Sequence, residues 1–119
     1  MPLIEVQGCI FDADLLAQSH GFESLDAVGR ETFVNHLHLT GENRVDAAER
    51  VIKAWKEEMA ARWPAREFRI YRQFETGEVT IRFHAVRPGM ANWCEEGVEI
   101  SVVASRPSHR GDAPDRRGG

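Results

Sequence analysis

Cysteine is scarce in this 119-residue chain, and so are most signatures that announce a function. Cys9 and Cys94 lie far apart and neither belongs to a CxxC pair, so two free thiols in a reduced, cytoplasmic protein are expected. No stretch approaches the roughly 18 consecutive apolar residues of a membrane helix. The first residues, MPLIEVQG, also lack the basic segment and apolar run of a secretion signal. No membrane partner is therefore expected. Basic runs are missing too, and the formal net charge is −4, which argues against a nucleic-acid partner. There is no phosphate-cradling glycine loop, no GxSxG, no dinucleotide fingerprint, no HExxH and no internal repeat, so no cofactor and no metal are expected.

What is present is an ordinary globular composition, 42% hydrophobic and 29% charged, which supports one domain over residues 1–104 with its own core. The most informative stretch is Arg66–Arg87, REFRIYRQFETGEVTIRFHAVR. Phe68, Ile70 and Phe74 alternate with Arg69, Tyr71 and Gln73, and Val79, Ile81, Phe83 and Ala85 alternate with Thr80, Arg82 and His84. This is the period of two of a half-buried strand. A two-residue turn at Thr76-Gly77 sets Phe74 opposite Val79, Ile70 opposite Phe83 and Phe68 opposite Ala85 on one face. The other face then carries Gln73 opposite Thr80, Tyr71 opposite Arg82 and Arg69 opposite His84. Arg72 opposite Ile81 is the one mismatch, and a place near the sheet edge would let it reach water.

Upstream, Leu3 to Phe11 predicts a strand beside this hairpin, with Gly8 as a bend. A homodimer could form through that strand if its edge is uncovered. A short helical turn is expected around Leu15 and Leu16. Ser24 predicts the N-cap of a helix from Leu25 to Leu37 with an apolar stripe of Leu25, Val28, Phe33 and Leu37. Gly41 then serves as its exit. Ala48, Val51, Ile52, Trp55 and Met59 predict a second helix from Val45 to Trp63, ended by Pro64. After a ten-residue loop, Pro88 to Gly97, the alternation of Val98, Ile100 and Val102 predicts a last strand. Residues 105–119 have the composition of a disordered tail. The expected fold is α+β: a four-stranded antiparallel sheet in the order β-α-α-β-β-β, with two helices on one face and a meander of the last three strands.

The face away from the helices is then expected to show Arg69, Tyr71, Gln73, Thr80, Arg82, His84, Glu99 and Ser101. Charge is uneven along the chain: residues 1–43 hold seven acids and one base, whereas residues 62–87 hold six arginines. The two regions can compensate each other internally, or the arginines can line a site for a carboxylate or phosphate. Two functions follow. The first is a non-catalytic binding or accessory domain that holds a protein partner or small anionic ligand with Arg69, Tyr71, Arg82, His84 and Trp93. The second is a small enzyme in which His84, with Glu99 or Tyr71, moves a proton on a carboxylate-bearing substrate. Missing catalytic motifs favour the first, and a concave pocket around His84 would favour the second.

Two weaker constellations complete the reading. His36-Leu37-His38 places two imidazoles two residues apart. On a helix they would diverge by about 200°, and they converge only if the helix ends by Leu37. Cys94 has Glu95 and Glu96 beside it, which oppose the thiolate that a nucleophile needs.

Overall fold

The computed structural model describes residues 2–94 and 96–104. The chain opens with β1 (Leu3–Val6) and β2 (Cys9–Asp12), then a short helix α1 (Ala13–Ala17). Next come α2 (Ala27–Val34), β3 (His36–Thr40) and the long helix α3 (Arg44–Arg62). The strands β4 (Phe68–Glu75), β5 (Glu78–Ala85) and β6 (Glu99–Val103) complete the fold. The α+β class is as the patterning predicts, but the order of elements is not. Residues 105–119, expected to be a disordered tail, lie outside the described residues. No helix among the described residues is long and apolar enough to cross a membrane.

The single strand expected over Leu3–Phe11 is instead a hairpin. Gln7 and Gly8 both take positive φ, 51° and 83°, the backbone of a tight two-residue reversal. β1 and β2 pair with each other as a separate sheet, so this segment is not an edge of the main one. Asp12 then caps α1, its Oδ1 accepting from the backbone N–H of Asp14 and Leu15, while its Oδ2 accepts from the indole of Trp55 at 3.0 Å.

The helix expected over Leu25–Leu37 is shorter and starts later. Asp26, not Ser24, caps it, accepting from the Gly29 N–H at 2.7 Å. It ends before Asn35, whose buried amide bonds the Ile10 carbonyl and the Asp12 N–H. Those long-range bonds hold the turn, and HLHLT runs on as β3 against β5. Phe33 and Leu25, predicted for the core stripe, are consequently exposed, while Val28 and Val34 are buried. Gly41, at φ 94°, turns β3 into α3 and does not serve as a helix exit. α3 matches its prediction to one residue at each end.

The β4–β5 hairpin has the register its polarity pattern predicts, Phe68 with Ala85 through Glu75 with Glu78. Its neighbours differ from the expected meander. The strand order is β3-β5-β4-β6, so β3 occupies the place beside β5, and β6 pairs with β4. β4 is therefore an inner strand, and Arg72 is not at a sheet edge. It lies on the face toward α3 and pairs with Glu49 and Glu99. Directly opposed residues share a face, so Glu99 and Ser101, opposite Arg72 and Ile70, point to the helix side. Ile100 and Val102 point the other way. Glu99 is thus on the wrong face to assist His84, which corrects its predicted role.

One continuous core fills the helix side, from Leu3, Ile10 and Phe11 through Trp55 and Met59 to Phe68, Ile70, Ile81 and Phe83. Trp55 meets Phe83 edge-on with centroids 4.8 Å apart. Phe74 is 49% exposed despite its alternation, because it stands beside the hairpin turn, beyond the last residue of β4 that pairs with β6. A second fastening is ionic. Glu31 is fully buried and accepts from the backbone N–H of Ile10 (2.7 Å) and Ala85 (2.9 Å) and from both terminal nitrogens of Arg87 (2.7 and 2.9 Å). It thereby joins β2, α2 and the end of β5.

Candidate functional site

On the face away from α3 the register lines up rows of side chains across the sheet. His36, Arg82, Tyr71 and Ile100 form one row. His38, Thr80 and Gln73 form the next on one side, and His84, Arg69 and Val102 on the other. The loop after β5 folds back over these rows and lays Trp93 on them. The Trp93 ring meets Tyr71 edge-on at 5.1 Å, and the Arg82 guanidinium carbon stands 4.2 Å from the same ring centroid. The cation–π contact of Arg82 is therefore with Trp93. The face is not simply wet: Tyr71, Thr80 and His84 are 1%, 5% and 0% exposed.

His84 is held from all sides. A carbonyl oxygen can only accept, so the 2.9 Å contact with Ala85 O puts the proton on Nδ1. Nε2 then accepts from the Tyr71 hydroxyl at 2.8 Å and, at a longer 3.4 Å, from the Trp93 N–H. Burial disfavours the imidazolium and pushes the His84 pKa down. The ring acts as a neutral pin that fastens Tyr71 and the Trp93 loop, and no solute reaches it while Trp93 stays in place.

Arg82 differs from its neighbours. It is half-buried, and desolvation lowers its pKa from the ordinary arginine value, though it stays charged. Among the described residues no carboxylate or carbonyl oxygen bonds its guanidinium, and the Trp93 ring is its partner. A guanidinium can take an oxyanion in bidentate fashion. Arg69 lies one row away, opposite His84.

β3 adds two side chains to this face that helical geometry would have separated. His36 and His38 project side by side, with ring centroids 5.1 Å apart at 87°. His36 Nδ1 lies 2.5 Å from the Phe33 carbonyl oxygen, and His38 Nδ1 lies 2.5 Å from Glu78 Oε2. The Thr80 hydroxyl also donates to Glu78 Oε2, at 3.1 Å. Both bonds to Glu78 favour its ionised form and lower its pKa, the His38 bond most. The signal for this pair was the alternation of HLHLT, which has the same period of two as β4 and β5.

Other candidates are less organised. Cys94 donates to the Glu96 carbonyl at 3.0 Å. Cys9 is buried and its thiol is pushed up by desolvation. It borders a small pocket of about 130 Å³ lined mainly by Val6, Phe11, Leu16 and Phe22. Among the described residues no group of three or more His, Cys, Asp or Glu side chains is arranged to hold a metal ion.

Fold and face together define a small α+β domain with a cationic and aromatic patch on an antiparallel sheet. No family model matches the chain, and no curated protein or solved structure matches it.

Proposed function

We propose that the chain is a non-catalytic binding domain whose sheet face receives the carboxylate or phosphate of a small ligand or protein partner at Arg82. The observation that carries this reading is the half-buried Arg82, stacked on Trp93 with no oxygen acceptor among the described residues. A desolvated guanidinium without an acceptor is costly, and an incoming oxyanion would offset that cost. Trp93 supplies the rigid wall of the site, and arginine and tryptophan are the residue types that dominate binding hot spots. Tyr71 and His84 hold the loop through Trp93, with Arg69 in the row of His84 and with His36 and Thr80 at the margin. Two free thiols support residence in the reducing cytoplasm.

The competing reading, His84 as an acid or base, is opposed by its complete burial and by the position of Glu99 on the other face. A titration of ¹⁵N-labelled protein with inorganic phosphate, acetate and a short peptide ending in a free carboxylate tests the proposal. With EDTA present, at least one anion is expected to shift the Arg82 Nε–H and the Trp93 indole N–H, and Arg82→Gln is expected to abolish the response. Unmoved Arg82 and Trp93 signals with all three would overturn it.

A further inference from the structure

We infer that His36 and His38 form a two-imidazole chelate for a divalent transition-metal ion of the zinc or copper class. The remaining coordination positions would be open to water or to a ligand's oxygen. The inference is independent of the anion reading, with which it shares only a face of the sheet.

Spacing is the first support. Residues two apart on a strand point the same way, so β3 presents both rings to one side. With Zn–N bonds of about 2.0–2.1 Å and ring centres about 1.1 Å further out, two tetrahedrally placed imidazoles have centroids about 5.2 Å apart. The observed separation is 5.1 Å. The spacing of the two rings is thus that of imidazoles sharing one tetrahedral ion.

Protonation is the second support, and it is independent of spacing. The Phe33 carbonyl and the ionised Glu78 carboxylate can only accept, so each contact at Nδ1 requires the proton there. In the neutral rings Nε2 is left with its lone pair on both histidines. Metal-bound histidines characteristically donate their other nitrogen to a backbone carbonyl or a carboxylate, which orients the ring and strengthens it as a ligand. Here one ring has each kind of support. Thr80 holds Glu78 in turn, so the supporting shell is itself fixed.

Accessibility and charge also fit. β3 is an outer strand of its sheet, and the His38 side chain is 54% exposed, so an ion can approach from solvent. Arg82 lies opposite His36 and would repel a cation, but its charge is drawn over Trp93. The Glu78 carboxylate supplies opposite charge beside His38. With two protein ligands the site is incomplete by itself, in keeping with the lack of a three-residue cluster. It suits an ion whose coordination is finished by a bound molecule.

Zinc chloride added to the ¹⁵N-labelled full chain, in a buffer free of phosphate and carboxylate, tests this directly. Saturable shifts of the His36 and His38 ring signals at one equivalent are expected, with the exposed His20 unmoved. His36→Gln and His38→Gln should each weaken binding by at least about tenfold, and Glu78→Ala by about 10–100-fold as a supporting residue. Arg82→Gln should bind zinc as well as the wild type or better, which separates this result from the anion test. Zinc shifts that survive in the His36→Gln/His38→Gln double variant, or no shift up to millimolar zinc, would overturn the proposal.

Discussion

Arg82, within β5, and Arg87, two residues past its end, have opposite surroundings. Arg87 gives both terminal nitrogens to Glu31, and that hydrogen bonding raises its pKa above the ordinary value. Arg82 is also taken partly out of water, but its neighbour is the Trp93 ring, and desolvation lowers its pKa. Arg72, between Glu49 and Glu99, resembles Arg87. An arginine that serves the fold is matched with a carboxylate from another element, and so the acidic start of the chain compensates part of the basic hairpin. Among the described residues Arg82 is left out of that compensation, and this difference is what supports the anion-binding role proposed for it.

The largest effect is expected at Glu31. Glu31→Ala leaves Arg87 half-buried without its counter-ion and removes the acceptor for two backbone N–H groups. Breaking a buried pair from one side costs about 3–5 kcal/mol, so a large fall in the urea midpoint is expected. Arg82→Gln should shift that midpoint little, because no ion pair of the fold is broken. Equal losses in the two variants would mean that Arg82 is structural, and the distinction would fail.

Trp93 gives an intermediate effect. Trp93→Ala removes the lid over Tyr71 and His84 and the ring beneath Arg82, an aromatic contact of about 0.5–1.5 kcal/mol beyond its area. Water then reaches His84, and its pKa should rise toward 6.5, the ordinary histidine value, from its depressed position. A ring-proton titration reads this, and an unchanged His84 titration would show that the burial comes from elsewhere.

Legibility in the sequence followed the length of the pattern. The β4–β5 register could be read because eight residues on each strand vote for it, and a slip by one would turn every side chain over. α3 could be read for the same reason. β3 was hidden because a five-residue alternation continues directly from a helix, and the helix stop lies in Asn35, whose buried bonds to Ile10 and Asp12 connect residues far apart in sequence. Missing β3 displaced β6 from β4 to β5 in the expected sheet, and with it Glu99 to the wrong face. The same omission separated His36 from His38. Within the site, Arg82, Tyr71, His84 and Trp93 were identifiable as residue types, but not the fact that Trp93 closes over the others. A loop without periodicity carries no signal for where it folds back.

The smallest effect is the acid sensitivity of His84, and its sign follows from burial. The folded protein disfavours the imidazolium, so the folded pKa lies below the unfolded value, near 6.5. Above that value both states hold the ring neutral and this group gives no pH dependence. As the pH falls through it, the unfolded chain takes up a proton that the folded chain resists, and stability drops by at most about 1.4 kcal/mol per pH unit until the folded group titrates too. The Ala85 carbonyl opposes the effect by favouring a protonated ring, but desolvation is the larger influence. Glu78 loses its own stabilising contribution only at lower pH, below the ordinary carboxylate value of 4.5, so the two windows separate. Urea midpoints measured from pH 7.5 to 5.0 should therefore slope downward in the wild type and be flatter in His84→Gln. An identical slope in both would place the acid sensitivity elsewhere and remove His84 as the pin of the Trp93 loop.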